Sequence, residues 1–205
     1  MIFEGFGVGQ IAANCYIIGC EQTKEAAVVD PGGEGERIVK RLADLGLKCT
    51  KIIFTHGHAD HIGGLQEVRD ATGAEVLIHK LDAGMLTDPN QNLSMMLGQT
   101  FKFEPADRLL EEGDKIQVGE IAIKVMHTPG HSLGGISLEV GDFLITGDTL
   151  FAGSVGRSDF PGGNYGILLN SIETKLLVYP DETKVFSGHG PVTTIGNEKA
   201  YNPFL

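Results

Sequence analysis

Apolar residues fall along the chain in short runs punctuated by Gly, Asp and Pro, a pattern that predicts many strands and few helices. The runs at 15–18, 26–30, 51–55, 75–79, 121–126, 135–140, 143–146 and 184–187 are β-like, being short and dominated by Val, Ile and Phe. Three other stretches carry a helical period. Over 34–45, Ile38, Leu42 and Leu45 fall at i, i+4 and i+7, and Gly46 follows as a C-terminal cap. The stretch 64–71 ends before Gly73, and 166–178 gathers Leu168, Leu169, Ile172, Leu176 and Leu177 before Pro180 stops it. Strands succeed one another directly over 118–148, which predicts antiparallel or mixed sheets with helices outside them. No linker, charge block or fixed-period repeat divides the chain, so a single α/β domain over 1–205 is expected.

Composition narrows the possible partners. With 205 residues, 41% of them hydrophobic, the chain is long enough to bury a substantial core. Its net charge of −11, without any run of Lys or Arg, argues against nucleic acid and anionic membrane surfaces. No stretch of about 18 apolar residues predicts a membrane span. The first basic residue is Lys24, so the N-terminal segment lacks the basic start of a signal peptide and a cytoplasmic location is expected. Cys15, Cys20 and Cys49 are odd in number and lack CxxC spacing, which predicts small apolar residues or free thiols rather than disulfides or a thiolate metal site. The pattern does not fix the oligomeric state.

The chemistry concentrates in one segment. After the apolar run at 51–55 come His56-Gly57-His58-Ala59-Asp60-His61, which place three of the seven histidines and a carboxylate in six positions. His56 and His58, two apart on leaving a strand, can face one side. Asp60 and His61 come as the chain turns toward a helix and can face another, so one loop can serve two cations. Gly57 and Ala59 leave room between the ligands, and Gly63-Gly64 permits a sharp turn. Three later loops, each after a predicted strand, offer the remaining donors: His127-Thr128-Pro129-Gly130-His131, Gly147-Asp148-Thr149 and Ser187-Gly188-His189. A carboxylate has two oxygens, so Asp148 is the natural shared ligand, with His131 and His189 completing one ion each. Imidazole and carboxylate suit zinc, iron and manganese alike.

The segments HGHADH, HTPGH, GDTLF and SGHG, in that order across nearly the whole chain, resemble the metallo-β-lactamase superfamily and, within it, short glyoxalase II-like hydrolases. The resemblance implies an αββα sandwich of two mixed sheets flanked by helices. It implies a first metal on His56, His58 and His131, a second on Asp60, His61 and His189, and Asp148 between them. Two divalent ions, zinc foremost with iron or manganese as alternatives, would then hold a hydroxide positioned by Asp60 and Asp148 for attack on a small-molecule thioester such as S-lactoylglutathione. A thiolate leaves readily, its thiol pKa being about 8.5, so a thioester needs no dedicated general acid.

The segment Gly156-Arg157-Ser158-Asp159-Phe160-Pro161-Gly162-Gly163 and the ending from Gly190 to Phe204 are similar to the short glyoxalase II-like group. Longer glyoxalase II enzymes add a helical domain that helps hold glutathione, and none is expected after His189. Superfamily β-lactamases generally lack the bridging carboxylate and are exported, so that activity is not expected. An iron persulfide dioxygenase, using one iron on His56, His131 and Asp148, is the alternative, since those relatives keep the same loops. Arg157 could receive a substrate carboxylate or pair with a local acid such as Asp159. Tyr165 could line the mouth of the site or simply begin a helix. His79 is expected to be structural or at the surface, His127 to be structural or supporting, and Asp30 to be a turn residue or a support of the site.

Overall fold

The computed structural model describes residues 1–205, the side chain of Leu97 excepted. The first sheet holds six strands in chain order: β1 (Ile2–Val8), β2 (Ala13–Gly19), β3 (Glu25–Val29), β4 (Lys48–Ile53), β5 (Glu75–His79) and β6 (Arg108–Leu110). The first three pair antiparallel and the rest parallel, with α1 (Gly35–Asp44) crossing from β3 to β4. From β4 the chain passes through α2 (Ala59–Ile62) and α3 (Leu65–Thr72) to β5. The second sheet begins with the antiparallel run β7 (Lys115–Val118), β8 (Ile121–His127), β9 (Ile136–Val140) and β10 (Phe143–Gly147). A small hairpin, β11 (Leu150–Phe151) and β12 (Ser154–Val155), precedes α4 (Tyr165–Ser171). Next, β13 (Lys184–Ser187) joins β10 in parallel, β14 (Thr193–Thr194) forms the far edge, and α5 (Ile195–Tyr201) follows. Both sheets are mixed and both carry helices on their outer faces, as the αββα resemblance implies.

Period-two alternation explains why β2 and β3 read as unbroken apolar runs: both faces of the sheet are covered. Tyr16 and Ile18 point inward with Ala27, Val29, Ile53 and Leu77, meeting Ile123, Val125, Leu138 and Ile145 of the second sheet. Cys15 and Ile17 point outward with Val28, Ile52 and Val76, against Ile38 and Leu42 of α1 and Leu65 and Val68 of α3. The outer face of the second sheet, Met126, Leu144 and Val185, packs on Leu168, Ile172, Leu176 and Ile195. Cys15, Cys20 and Cys49 are buried free thiols. No helix is long and apolar enough to cross a membrane among the described residues.

Several boundaries differ from the sequence expectation. Gly46 does end α1, with φ of 63°: its N–H donates to Ala43 O and that of Leu47 to Leu42 O, closing the last turn. The expected helix over 166–178 is α4 followed by a wider π turn at Ile172–Leu176, so the helical period continues past a change in winding. The pattern also missed β1, whose Gly5 and Gly7 weaken its alternation, and α5. That helix is capped by Thr194, whose Oγ1 accepts from the Asn197 N–H at 3.2 Å.

Candidate active site

Every candidate metal donor follows the C-terminal end of a strand. β4 leads into His56 and His58 and, through α2, into Asp60 and His61; β8, β10 and β13 lead to His131, Asp148 and His189. The donors therefore come from both sheets, which meet here through a hydrogen bond from the Ile136 N–H to Thr55 O (2.8 Å). The structure brings all seven together. Donor atoms of His56, His58 and His131 lie within 4.8 Å of one another, as do those of Asp60, His61 and His189, and those of His56, His61 and Asp148. His131 Nε2 lies 2.9 Å from His58 Nδ1 and 3.3 Å from His56 Nε2. On the other side His189 Nε2 lies 3.0 Å from Asp60 Oδ2.

Asp148 stands between the two groups. Its Oδ1 faces His61 Nε2 at 3.4 Å, while Oδ2 lies 3.6 Å from His131 Nε2 and 3.7 Å from His189 Nε2. Among the described residues, His61 Nε2 and Asp148 Oδ1 are buried without a hydrogen-bond partner. Buried polar atoms are almost always satisfied, so two orphans in a ring of imidazoles and carboxylates fit divalent cations as the missing partner. Gly188 makes the approach possible: a Cβ there would strike Asp148 Oδ1 and come within 2.7 Å of His61 Cε1. Gly130 serves similarly before His131, with φ of 127° and no room for a side chain against Leu168.

Supporting contacts aim the rings. Asp30 accepts from the Thr55 N–H (2.8 Å), the Thr55 hydroxyl (2.6 Å) and His61 Nδ1 (3.1 Å), which turns His61 Nε2 toward the cluster. His131 Nδ1 donates to the Arg157 carbonyl at 2.7 Å, leaving Nε2 as the free donor atom. Burial holds His56 well below the usual histidine pKa and pushes His58 down to about 3, so both rings are in the neutral form that ligates metals. Burial would lower His61 too, but the Asp148 and Asp60 carboxylates outweigh it and raise that group. Asp60 is held low despite burial, chiefly by His61.

Asp82 carries no signal in the local sequence pattern. It is 1% exposed and accepts from the Ser132 hydroxyl (2.6 Å) and the Gly134 N–H (2.6 Å). It therefore ties the loop after β5 to the loop of His131. Asn92 acts alongside: its side chain donates to Met85 O and Phe101 O, and its backbone carbonyl accepts from the N–H of Ala59 at the start of α2. Neither residue sits in a recognisable motif. Their roles arise only when distant loops meet.

The remaining candidates separate clearly. Arg157 lines the cleft, but its guanidinium makes two 2.8 Å hydrogen bonds to Asp159 and lies 3.7 Å from the centroid of the Phe160 ring. Tyr165 opens α4, is 47% exposed, and is not among the described residues that line the cleft. His79 and His127 stand outside the cluster, stacked on each other at 4.2 Å.

Comparison with known proteins gives the family. The profile of the metallo-β-lactamase superfamily matches residues 8–189. A probable metallo-hydrolase of Bacillus subtilis, YqgX, is 42% identical over 97% of this chain and 94% of its own. The hydroxyacylglutathione hydrolase GloC of Haemophilus influenzae is 37% identical over 100% of this chain and 98% of its own. Among solved structures, BLEG-1, a B3 metallo-β-lactamase, superposes with a TM-score of 0.95 at 39% identity, covering 100% of this chain and 99% of that one. TTHA1623 in a di-iron-bound form gives 0.87 at 34% identity, over 98% and 100%. ETHE1 from Myxococcus xanthus gives 0.84 at 33%, over 99% and 84%. With the profile spanning all seven donors and relatives aligning end to end, the chain belongs to the metallo-β-lactamase superfamily.

Proposed function

We propose that this chain is a metal-dependent hydrolase of thioesters, acting in the cytoplasm on a small-molecule substrate. The observation that carries the reading is the pair of buried orphan atoms, His61 Nε2 and Asp148 Oδ1, at the junction of the donor groups. Two divalent cations fit this set, zinc foremost, with iron or manganese as alternatives; the di-iron form of TTHA1623 supports the count of two. His56, His58 and His131 would hold one and Asp60, His61 and His189 the other, with Asp148 shared. Such a pair supplies Lewis acidity and lowers the pKa of water toward neutrality.

The chain supplies the rest. Asp60 and Asp148 orient the attacking water by accepting its protons, and the cleft wall holds the thioester against them. Asp30 and the Arg157 carbonyl keep His61 and His131 in the tautomers that present Nε2. Because a thiolate leaves without protonation, the cleft needs no separate acid.

S-lactoylglutathione is the reference substrate, since GloC carries the name of that activity. Its turnover by protein of measured metal content, with His58→Ala as the control, is expected to track two ions per chain and to vanish in the variant. A two-ion protein that hydrolyses no thioester overturns the reading, and cleavage of a β-lactam instead would align the chain with BLEG-1. The likeness to ETHE1 supports a second reading, a persulfide dioxygenase with one iron on His56, His131 and Asp148. Oxygen uptake with glutathione persulfide by single-iron protein would establish it.

A further inference from the structure

We infer that the cleft accepts a substrate whose groups flanking the scissile bond are uncharged and apolar, in place of one held by its carboxylates. The inference rests on the hydrolase reading above and names the substrate class for that same site. The cleft beside the donors has a volume of about 620 Å³, ample for a drug-sized molecule. Its walls away from the donors are mostly apolar, formed by Ile11, Leu93, Met96, Phe151, Val155 and Phe160, with Asn92 and Arg157 the polar exceptions. Ile11 is 52% and Met96 70% exposed, so large apolar side chains stand uncovered at the mouth.

Charge points the same way. Among the described residues lining the cleft, Arg157 is the only Lys or Arg. Its Nε and Nη2 are both taken by Asp159, and its flat face lies on Phe160. An exposed pair of this kind adds little stability, but it cancels the charge that a substrate carboxylate would seek. The chain carries −11 overall, and the one Lys or Arg among the cleft's described residues is already paired with a carboxylate, so an anionic tail reaching along the apolar wall finds no free cationic side chain. An alkyl group against the apolar wall gains instead, by about fourfold in affinity for each fully buried methylene.

Non-hydrolysable thioethers test this on metal-loaded protein, read by titration calorimetry. S-hexyl-N-acetylcysteamine is expected to bind at least about tenfold tighter than its S-methyl counterpart. S-hexylglutathione, carrying the same alkyl group on a charged tripeptide, is expected to bind no tighter than the neutral hexyl compound. Equal methyl and hexyl affinities, no hexyl binding at millimolar concentration, or a clear preference for the glutathione compound each overturns the inference. Replacing both Ile11 and Met96 by Ser, at the exposed mouth where folding is not at stake, should cut the hexyl-to-methyl ratio about fivefold; an unchanged ratio also overturns it. Thioesters of the same groups keep the two readings apart. If none is turned over, the hydrolase reading fails while the binding result still decides the substrate class. If S-lactoylglutathione is preferred to hexanoyl-N-acetylcysteamine, the substrate class fails and the hydrolase reading stands.

Discussion

His61 Nε2 faces Asp148 Oδ1 across 3.4 Å, both atoms are buried, and neither has a hydrogen-bond partner among the described residues. If Asp148 is shared by two cations, Asp148→Asn removes the charge from that junction while keeping its shape. Metal content measured by elemental mass spectrometry is expected to fall by at least one ion per chain. An unchanged content of two would show that the other six donors suffice.

Asp82 gives a prediction for stability. Asp82→Ala strands the Ser132 hydroxyl and the Gly134 N–H in a buried pocket. The unfolding free energy from urea titration is expected to drop by about 2–4 kcal/mol. Asp82→Asn, which keeps one acceptor oxygen, should fall between the variant and the native chain. A loss below about 0.5 kcal/mol for the alanine variant would show that the loops hold each other without the clamp.

His79 ties stability to pH. Burial pushes its pKa down to about 4, with the stacked His127 adding to the effect. In the unfolded chain the value returns to about 6.5, so between these pH values the unfolded state binds the extra proton. The neutral ring's contribution is therefore intact above pH of about 6.5, declines as pH falls toward 4, and declines no further below that. His79→Phe keeps a ring in the stack but cannot titrate. The stability gap between native and variant should move in favour of the variant as pH drops through this window. Parallel curves in urea unfolding from pH 7.5 to 4 would refute the assignment.

Asp159 sets the charge of the cleft mouth. Asp159→Asn releases the Arg157 guanidinium from its carboxylate partner. KM for S-lactoylglutathione is expected to fall about two- to fivefold, with little change for a neutral thioester, because only the anion gains a counter-charge. The melting temperature should stay within a few degrees, since an exposed pair contributes about 0–1 kcal/mol. Equal effects on both substrates would mean that the residue acts through loop shape instead.

The sequence disclosed the centre of the site better than its frame. His56, His58, Asp60 and His61 are crowded into six positions, and each remaining donor sits just beyond a strong β run, so the strand ends pointed to a common place. Runs such as 26–30 and 143–146 were legible because two covered faces demand apolar residues at every position. Local pattern was silent where structure depends on remote partners. β1 holds its place through register with β2, from Ile2 opposite Gly19 to Val8 opposite Ala13, and not through its own alternation. Asp82 looks like any loop aspartate until residues 50 and 52 positions away close on it. Arg157 was readable as a carboxylate receptor or a local ion pair, and its geometry to Asp159 and Phe160 could be settled only in three dimensions.

The parallel pairing of β10 with β13 has a consequence for the order in which the molecule assembles. Asp148 leaves the end of β10, and His189 arrives only after a crossover through α4 and the docking of β13. On the ribosome, a chain that has presented His56, His58, His61 and even Asp148 still lacks one complete donor group until β13 is made and closes on the sheet. Such long-range closure is among the slower events of folding. Capacity for the full set of donors thus waits on the docking of β13, and a nascent or half-open chain offers a scavenging ion at most part of its grip.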